Sequence, residues 1–191
     1  MTAQDESQQS TGDGTANGVT IALDSMGGDR GPEVCVPAGL SLLRAVPGLQ
    51  LVFVGQRERI EQYIADSADI AGRFRVVDAR QIVEMDESPA DALRKKKESS
   101  MRIAIDLVKA GEAQACVSAG NTGALMATAR FVFKTLPGID RPAIMVPVPT
   151  MHGCTHMLDL GANSDCTAEH LFQFAVMGSV VATVVDNIPA P

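Results

Sequence analysis

The feature that most constrains this chain is the regular alternation, from Val19 onward, of short β-branched segments with amphipathic segments. This alternation predicts six strands, at 19–24, 49–55, 74–79, 113–119, 143–148 and 156–161. Between them apolar residues recur at helical spacing, as at Met101, Ala104, Ile105 and Val108. Apolar strands that alternate with helices are typical of parallel sheets covered on both faces. The sequence therefore predicts an α/β fold with a mostly parallel sheet and helices on both of its faces.

Capping residues mark the helix ends. Ser88 and Pro89 are typical of a helix start, and Gly111 is typical of the end of the same helix. A second helix is expected to begin near Gly123 and to stop at 136–138. The last predicted helix, 168–186, is apolar over much of its surface, so we expect it to need packing layers on more than one side. This helix favours the N-terminal portion of a longer protein over a frayed natural C-terminus.

Composition narrows the classes of protein to consider. Residues 1–17 contain no Leu, Ile, Val or Phe, which predicts a disordered polar tail before a single α/β domain over 18–191. The net charge is −7 and aromatic residues make up 4%, so no nucleic-acid partner is expected. The four cysteines form no Cys-x-x-Cys pair and no secretory signal opens the chain, which favours the cytoplasm. The apolar stretch 171–185 is short for a membrane span and predicts a core helix.

Ligands of parallel sheets bind beyond the carboxyl ends of the strands, so the turns at those ends are the candidate sites. The first turn contains Asp24, Gly27, Gly28 and Asp29, and its glycines permit close approach of the backbone to a ligand. It lacks the Gly-x-Gly-x-x-Gly spacing of a dinucleotide site. A structural turn that needs glycine at positive φ, with an aspartate capping the next helix, explains the same residues equally well.

The second turn, after the fourth predicted strand, contains Ser118, Gly120, Asn121, Thr122 and Gly123. It precedes a helix, where backbone N–H groups are free, the helix dipole adds positive charge and polar side chains add donors. Because the turn has no P-loop lysine, it predicts a site for phosphate rather than for a nucleoside triphosphate. The alternative is a tight capped turn whose glycines only let the helix pack closely on the sheet.

A third turn, after the sixth predicted strand, repeats this chemistry with Asn163 and Asp165. Hydrogen-bonding side chains beside a glycine suit a ligand site. Taken alone, however, this turn favours a structural interpretation, in which Asp165 or Thr167 caps the helix that follows.

The helix capped by Ser88 carries four consecutive cations, Arg94, Lys95, Lys96 and Lys97. Four consecutive positions go round a whole helical turn, so at least one should face the strand ends. We expect one cation to complete the phosphate site and the outer ones to attract an acidic partner. The alternative is an ordinary solvated helix surface.

Three residues invite a metal interpretation. On an extended segment His152, Cys154 and His156 would share one face, but their spacing matches no recognised zinc pattern. We therefore expect no metal and no cofactor. The sequence also has no arrangement typical of a catalytic serine or cysteine nucleophile.

Four long segments carry a family resemblance: IALDSMGGD at 21–29, EMDESPADALRKKKESSM at 84–101, VSAGNTGALMA at 117–127 and LDLGANSDC at 158–166. In order and spacing they resemble the bacterial phosphate acyltransferase of phospholipid synthesis, the PlsX family. That family has the α/β sandwich fold of isocitrate and isopropylmalate dehydrogenases and of phosphotransacetylase, forms homodimers and is longer than this chain. The resemblance implies an enzyme that converts acyl-(acyl carrier protein) and inorganic phosphate into acyl phosphate, with membrane association at most peripheral and through a portion absent here.

The turns and the resemblance together suggest hypothetical roles for the candidate residues. The phosphate-binding residues are those of the second turn, the catalytic residues are Asp24, Lys95, Lys96 and Asn163, and the pocket residues are Gly27, Gly28, Asp29, Arg94, Lys97 and Asp165. The family usually has histidine where this chain has Arg30, which stays protonated and can bind an anion but cannot transfer a proton. Two alternatives are a coenzyme-A-dependent enzyme of the phosphotransacetylase type and a non-catalytic fragment that only binds phosphate or acyl carrier protein.

Overall fold

The computed structural model describes residues 18–151 and 153–188. Four strands form one parallel sheet in the order β3-β2-β1-β4. They are β1 (Val19–Asp24), β2 (Leu49–Gly55), β3 (Phe74–Asp78) and β4 (Ala115–Ser118). The parallel sheet predicted from the alternating pattern is confirmed. The disordered tail predicted for 1–17 lies outside the described residues.

Helices cover both faces of this sheet. The helices of the chain are α1 (Pro32–Ala45), α2 (Arg57–Ile64), α3 (Pro89–Lys95), α4 (Ser100–Lys109), α5 (Thr122–Phe133) and α6 (Ala168–Val185), with a 3-10 helix at Ala68–Arg73. The last of them, α6, lies against β6 and not against this sheet. Alternate residues of β2 face opposite cores, because Leu51 and Phe53 pack with α1 whereas Val52 and Val54 pack with α4. β2 is thus buried on both sides, which explains its almost unbroken apolar sequence.

The single helix predicted between Ser88 and Gly111 is wrong, because the structure has two helices, α3 and α4, separated at 96–99. Ser99 caps α4 by accepting a hydrogen bond from the backbone amide of Arg102 at 3.3 Å. The amide of Ser100 donates to a carbonyl of the segment after β3 at 3.2 Å. A buried serine cap and a partner outside the helix therefore end the first helix where the pattern alone predicted continuation.

The last two predicted strands do not join the parallel sheet, which corrects the prediction for 143–148 and 156–161. Instead β5 (Met145–Thr150) and β6 (Gly153–Leu158) pair with each other in an antiparallel two-stranded sheet. Pro147 and Pro149 lie in β5, and proline has no N–H to donate to a second neighbouring strand. We call β5, β6 and α6 the hairpin unit, and β1–β4 with α1–α5 the parallel-sheet unit.

α6 packs against β6 by one face only. Phe174 and Ala182 are buried there, whereas Leu171, Phe172 and Val184 are exposed. Only 17% of the helix is buried. Within the described residues α6 is therefore not a core helix, and its apolar surface lacks the further packing layers that the sequence predicts it to need. The helix extends the predicted stretch to 18 residues, and by length and composition alone α6 is long and apolar enough to cross a membrane.

Candidate functional site

The pairing of β1 with β4 brings the first two candidate turns together. Asp24 and Ser118 are register partners at the carboxyl ends of these strands. The Ser118 hydroxyl donates a 2.6 Å hydrogen bond to Asp24 Oδ2, and the Met26 amide donates to Oδ1 at 3.3 Å. Because Asp24 is only 2% exposed, its carboxylate links the two turns and is not open to a substrate. Asp24 is thus placed to position the site.

Glycine allows the two turns to touch. A Cβ on Gly27 would lie 2.8 Å from both Asp24 Oδ2 and the amide nitrogen of Gly120. That separation leaves no space for a methyl group, so this contact requires glycine at position 27. Gly28 has a φ of 85°, as the structural explanation of the first turn expects. Both glycines serve the shape of the turn.

Asn121 ties the second turn to the loop that precedes α3. Its Oδ1 accepts a hydrogen bond from the Ala124 amide at 3.0 Å and so caps α5. Its Nδ2 lies 2.9–3.3 Å from the backbone carbonyl oxygens of Glu84, Met85 and Glu87. The side chain is therefore engaged on both its polar atoms, and it fixes the loop 84–87 beside the start of α5.

Some donors expected at the second turn are thus already used. The Ser118 hydroxyl donates to Asp24 and accepts from the Gly120 amide at 3.0 Å. This corrects the expectation that the side chains of Ser118 and Asn121 supply donors to phosphate. Among residues 18–151 and 153–188, however, the amides of Thr122 and Gly123 donate to no protein acceptor. These two N–H groups and the exposed Thr122 side chain remain for an anion.

One of the four consecutive cations, Lys96, reaches the loop that Asn121 holds. Lys96 is the C-cap residue of α3 and is partly buried. Its Nζ donates to the Ile82 carbonyl at 2.9 Å and lies 3.6 Å from Glu87 Oε2. Sequence reasoning missed Glu87, although an acidic residue close before a basic run is a signal for such an ion pair. Lys96 thus supplies a positive charge that is fixed on two sides.

The other three cations face solvent. Arg94 and Lys95 share the carboxylate of Asp91, at 3.4 and 3.1 Å. Lys97 is exposed and lies beyond the end of α3. The expectation that the run would circle one helical turn is wrong, because the helix ends within it.

The last residues of the first turn, Asp29 and the adjoining Arg30, also face solvent. Asp29 is exposed, and the Arg30 guanidinium pairs with Glu33 at 2.7 Å. Neither side chain makes a contact with the second turn among the hydrogen bonds of the described residues.

The third turn lies in the hairpin unit and is not joined to the other two. The Asn163 side chain donates to Asp159 Oδ2 and to the Pro142 carbonyl. Asp165 accepts from Arg141. Within the described residues no hydrogen bond or ion pair connects Asn163 or Asp165 with the first two turns. Their assigned roles remain predictions.

Asp159 organises this third turn, and sequence reasoning gave it no such role. Partial burial acts to raise the pKa of Asp159, but hydrogen bonds from Ile144 and Asn163 outweigh burial and hold that pKa below its usual value. An aspartate within the last predicted strand, four residues before Asn163, is the available signal. Thr167 caps α6 by accepting from the His170 amide, which confirms the capping alternative for Thr167.

Two thiols lie near Asp24. Burial raises the pKa of Cys35 and of Cys116, and the negative charge of Asp24 raises both further. A raised pKa keeps both thiols protonated at neutral pH, which does not suit a nucleophile. The Cys35 thiol also lies 3.6 Å from the Gly27 carbonyl oxygen, to which it donates.

Two of the three residues considered for a metal site, Cys154 and His156, lie on β6. His156 bonds through Nε2 to Asp186, and Cys154 is exposed on the same strand. His152 lies outside the described residues. Within residues 18–151 and 153–188 no three histidine, cysteine, aspartate or glutamate side chains are grouped so that they can hold a metal ion.

Comparison with known proteins shows which family this chain belongs to. The sequence matches the family described as "Fatty acid synthesis protein" over residues 19–191. The chain belongs to this family. Proteins named phosphate acyltransferase from Alkalilimnicola ehrlichii and Methylococcus capsulatus are 60% and 61% identical to it, over 91% and 90% of its length. One from Legionella pneumophila is 56% identical over 91% of it. The predicted resemblance to phosphate acyltransferases is confirmed.

The chain spans about half the length of these relatives, since the match covers 51% of each. Among solved structures, a phosphotransacetylase from Streptococcus pyogenes is similar with a TM-score of 0.64, over 90% of this chain and 55% of that one. Because the two sequences are 20% identical, this likeness shows a shared fold. The phosphotransacetylase-like fold predicted for this member of the fatty acid synthesis family is confirmed.

Proposed function

We propose that the complete protein is a phosphate acyltransferase of lipid synthesis, and that this chain binds its inorganic phosphate. The enzyme transfers the acyl group of an acyl-(acyl carrier protein) thioester to phosphate and forms acyl phosphate. The names of the relatives support the reaction, and the family description supports its place in lipid synthesis. The observation that carries the phosphate site is the pair of free amides of Thr122 and Gly123 at the start of α5.

This site is held in place from two sides. The Asp24–Ser118 hydrogen bond and the contact at Gly27 fix the turn against β1. Asn121 fixes it against the loop 84–87, to which Lys96 is ion-paired through Glu87. Donors that are fixed before the ligand arrives stabilise developing charge without the cost of reorganisation. The rigidity of the turn therefore supports a catalytic role better than a turn whose glycines serve packing alone.

The reaction needs orientation more than a strong base. Hydrogen phosphate is already an anion at neutral pH, and one of its oxygen atoms attacks the thioester carbonyl carbon. The carbon–sulfur bond then breaks, and the proton of hydrogen phosphate ends on the carrier thiol, so the reaction is balanced without a further reactant. The Thr122 and Gly123 amides would orient the phosphate oxygens, and Lys96 would offset their negative charge. Lys95 and Asn163 are not placed at these donors.

We further propose that the complete protein is cytoplasmic and homodimeric. The phosphotransacetylase fold also supports a second candidate, a donor that is a coenzyme A thioester, because that fold serves acyl transfer to phosphate there. Measuring acyl phosphate formation by the complete protein with matched acyl-(acyl carrier protein) and acyl-coenzyme A separates the two. We expect the carrier-protein thioester to be the preferred donor.

The phosphate assignment is tested with Thr122→Val and Lys96→Ala. Thr122→Val removes the exposed hydroxyl at the start of α5, and Lys96→Ala removes the positive charge beside the loop 84–87. A hydrogen bond to a charged partner contributes about 1.5–3 kcal/mol, so we expect the phosphate KM to rise about tenfold or more, or kcat to fall as much. Lys97→Ala is the matched control, because this neighbouring lysine is exposed and outside the site. Unchanged phosphate kinetics in both site variants would refute the assignment, and thermal melts establish that the variants fold.

A further inference from the structure

A groove on the surface between α3 and α5 plays no part in the chemistry proposed above. It has a volume of about 470 Å³. Its lining residues are Leu93, Ala127, Arg130, Phe131, Lys134 and Thr135. Phe131 is 51% exposed, so a large aromatic ring lies open to solvent there. An exposed aromatic ring beside basic side chains is typical of a protein-binding surface.

The groove carries positive charge that no acidic side chain of the described residues neutralises. Lys134 Nζ lies 4.7 Å from the centroid of the Phe131 ring, and Arg102 Cζ lies 5.4 Å from it. Arg102 is paired with Asp106. Arg130 and Lys134 form no ion pair within residues 18–151 and 153–188. Two unpaired cations thus flank an exposed ring on a chain whose net charge is −7.

We propose that this groove docks the acidic carrier protein that delivers the acyl group, an inference that rests on the proposed function. An acidic partner is repelled by most of a chain with net charge −7, so it needs a local cationic surface on which to bind. Arg130 and Lys134 provide that surface. Phe131 and Leu93 provide an apolar centre, and aromatic and arginine side chains are the usual energetic anchors of protein interfaces.

The position of the groove determines how the acyl group must travel. Pro89 at the start of α3 lies beside Gly123 at the start of α5, where a Cβ on Gly123 would be 2.9 Å from Pro89 Cγ. From there α5 leads to Lys134, eleven residues further along the chain, which is about 16 Å at 1.5 Å per residue. A carrier docked at the groove therefore reaches the phosphate site by an extended arm that bears the acyl group, and its own folded surface stays away from the reaction.

The test is a charge reversal in the complete protein with a matched control. Arg130→Glu combined with Lys134→Glu reverses the charge of the groove, and Arg59→Glu combined with Arg80→Glu makes the same change at two exposed cations of a separate surface depression, after the ends of β2 and β3. We measure the Kd for acyl carrier protein at low and at high salt. We also measure turnover with an acyl thioester of pantetheine, which needs no docking.

We expect the groove variant to bind the carrier at least about tenfold more weakly at low salt, the control variant to change less than about twofold, and wild-type binding to weaken as salt rises. Turnover of the small thioester should stay the same, which shows that the groove variant folds. Equal carrier binding by the groove and control variants overturns the docking surface and leaves the proposed function standing. Absence of acyl phosphate from either donor in the wild type overturns the proposed function, whereas the carrier Kd still decides the groove.

Phe131→Ala gives a second variant that leaves the charge unchanged. It should weaken carrier binding at high salt as well as at low salt, because its contribution is apolar. Carrier binding that is unaffected by this substitution at both salt concentrations counts against the apolar centre of the surface.

Discussion

The parallel-sheet unit and the hairpin unit differ in what their polar and apolar residues do. In the parallel-sheet unit both faces of β2 are buried, and the polar residues Asp24, Ser118 and Asn121 bond to one another or to nearby backbone. In the hairpin unit α6 buries one face and leaves Phe172 exposed, and the polar turn at Asn163 bonds within its own unit. The order of the proposed phosphate site therefore comes from contacts within the parallel-sheet unit.

The largest contrast should appear when a phenylalanine is truncated in each unit. Phe53 is fully buried and packs edge-on against Phe74 at 5.8 Å, so Phe53→Ala should lower the free energy of unfolding by about 3–5 kcal/mol. Phe172 is 64% exposed, so Phe172→Ala should change the free energy of unfolding by less than about 0.5 kcal/mol. Urea unfolding of both variants measures the difference. Similar losses would contradict the contrast between the units.

A smaller effect is expected at the contact between the two turns. Gly27→Ala places a methyl group 2.8 Å from Asp24 Oδ2 and the Gly120 nitrogen, so we expect a loss of about 1–3 kcal/mol in unfolding free energy and a raised phosphate KM. Gly72→Ala is the control, because a Cβ there meets nothing within 4 Å. Denaturation and phosphate kinetics measure both variants. Normal stability and kinetics for Gly27→Ala would show that the turns are not in tight contact.

The smallest effect concerns the thiols of the two units. Burial and then the charge of Asp24 raise the pKa of Cys35 and Cys116, so at pH 8 they should react with iodoacetamide more slowly than the exposed Cys154 and Cys166. Asp24→Asn removes the charge but not the burial. It should therefore move the pH midpoint for alkylation of Cys35 downward, though not to that of a free thiol.

Site-resolved mass spectrometry of alkylation against pH measures these midpoints. Cys154 is the internal control for the substitution, because it lies in the hairpin unit. An unchanged Cys35 midpoint in Asp24→Asn would mean that the Asp24 carboxylate does not act on this thiol.

Much of the parallel-sheet unit follows from local pattern. The apolar strands and the helix start at Thr122 are visible in the sequence because burial and capping act through nearby residues. The break between α3 and α4 depends on Ser99 and on a carbonyl 19 residues earlier, that of Gln81, which bonds the Ser100 amide. Periodicity carries no information about such a partner. The antiparallel pairing of β5 with β6 is likewise a choice of partner that strand propensity leaves open.

The sequence indicates where the candidate site lies, but not which of its hydrogen-bond donors are free. The turns at Asp24 and Ser118 were found because adjacent parallel strands place their ends together. Which donors are free could not be foreseen, since Asn121 is occupied by carbonyls of a loop 34–37 residues away in sequence. The sequence does not distinguish Lys96 from the other three cations of the run. Its contacts with Ile82 and Glu87 depend on the end of α3 at Lys95, which periodicity does not predict.

The most direct test of the account is a phosphate titration of the isotope-labelled protein followed by amide NMR. We expect saturable shifts that are largest at Thr122 and Gly123 and that weaken in Lys96→Ala. Saturable shifts confined to other parts of the chain, or none at these two amides at any phosphate concentration, would contradict it.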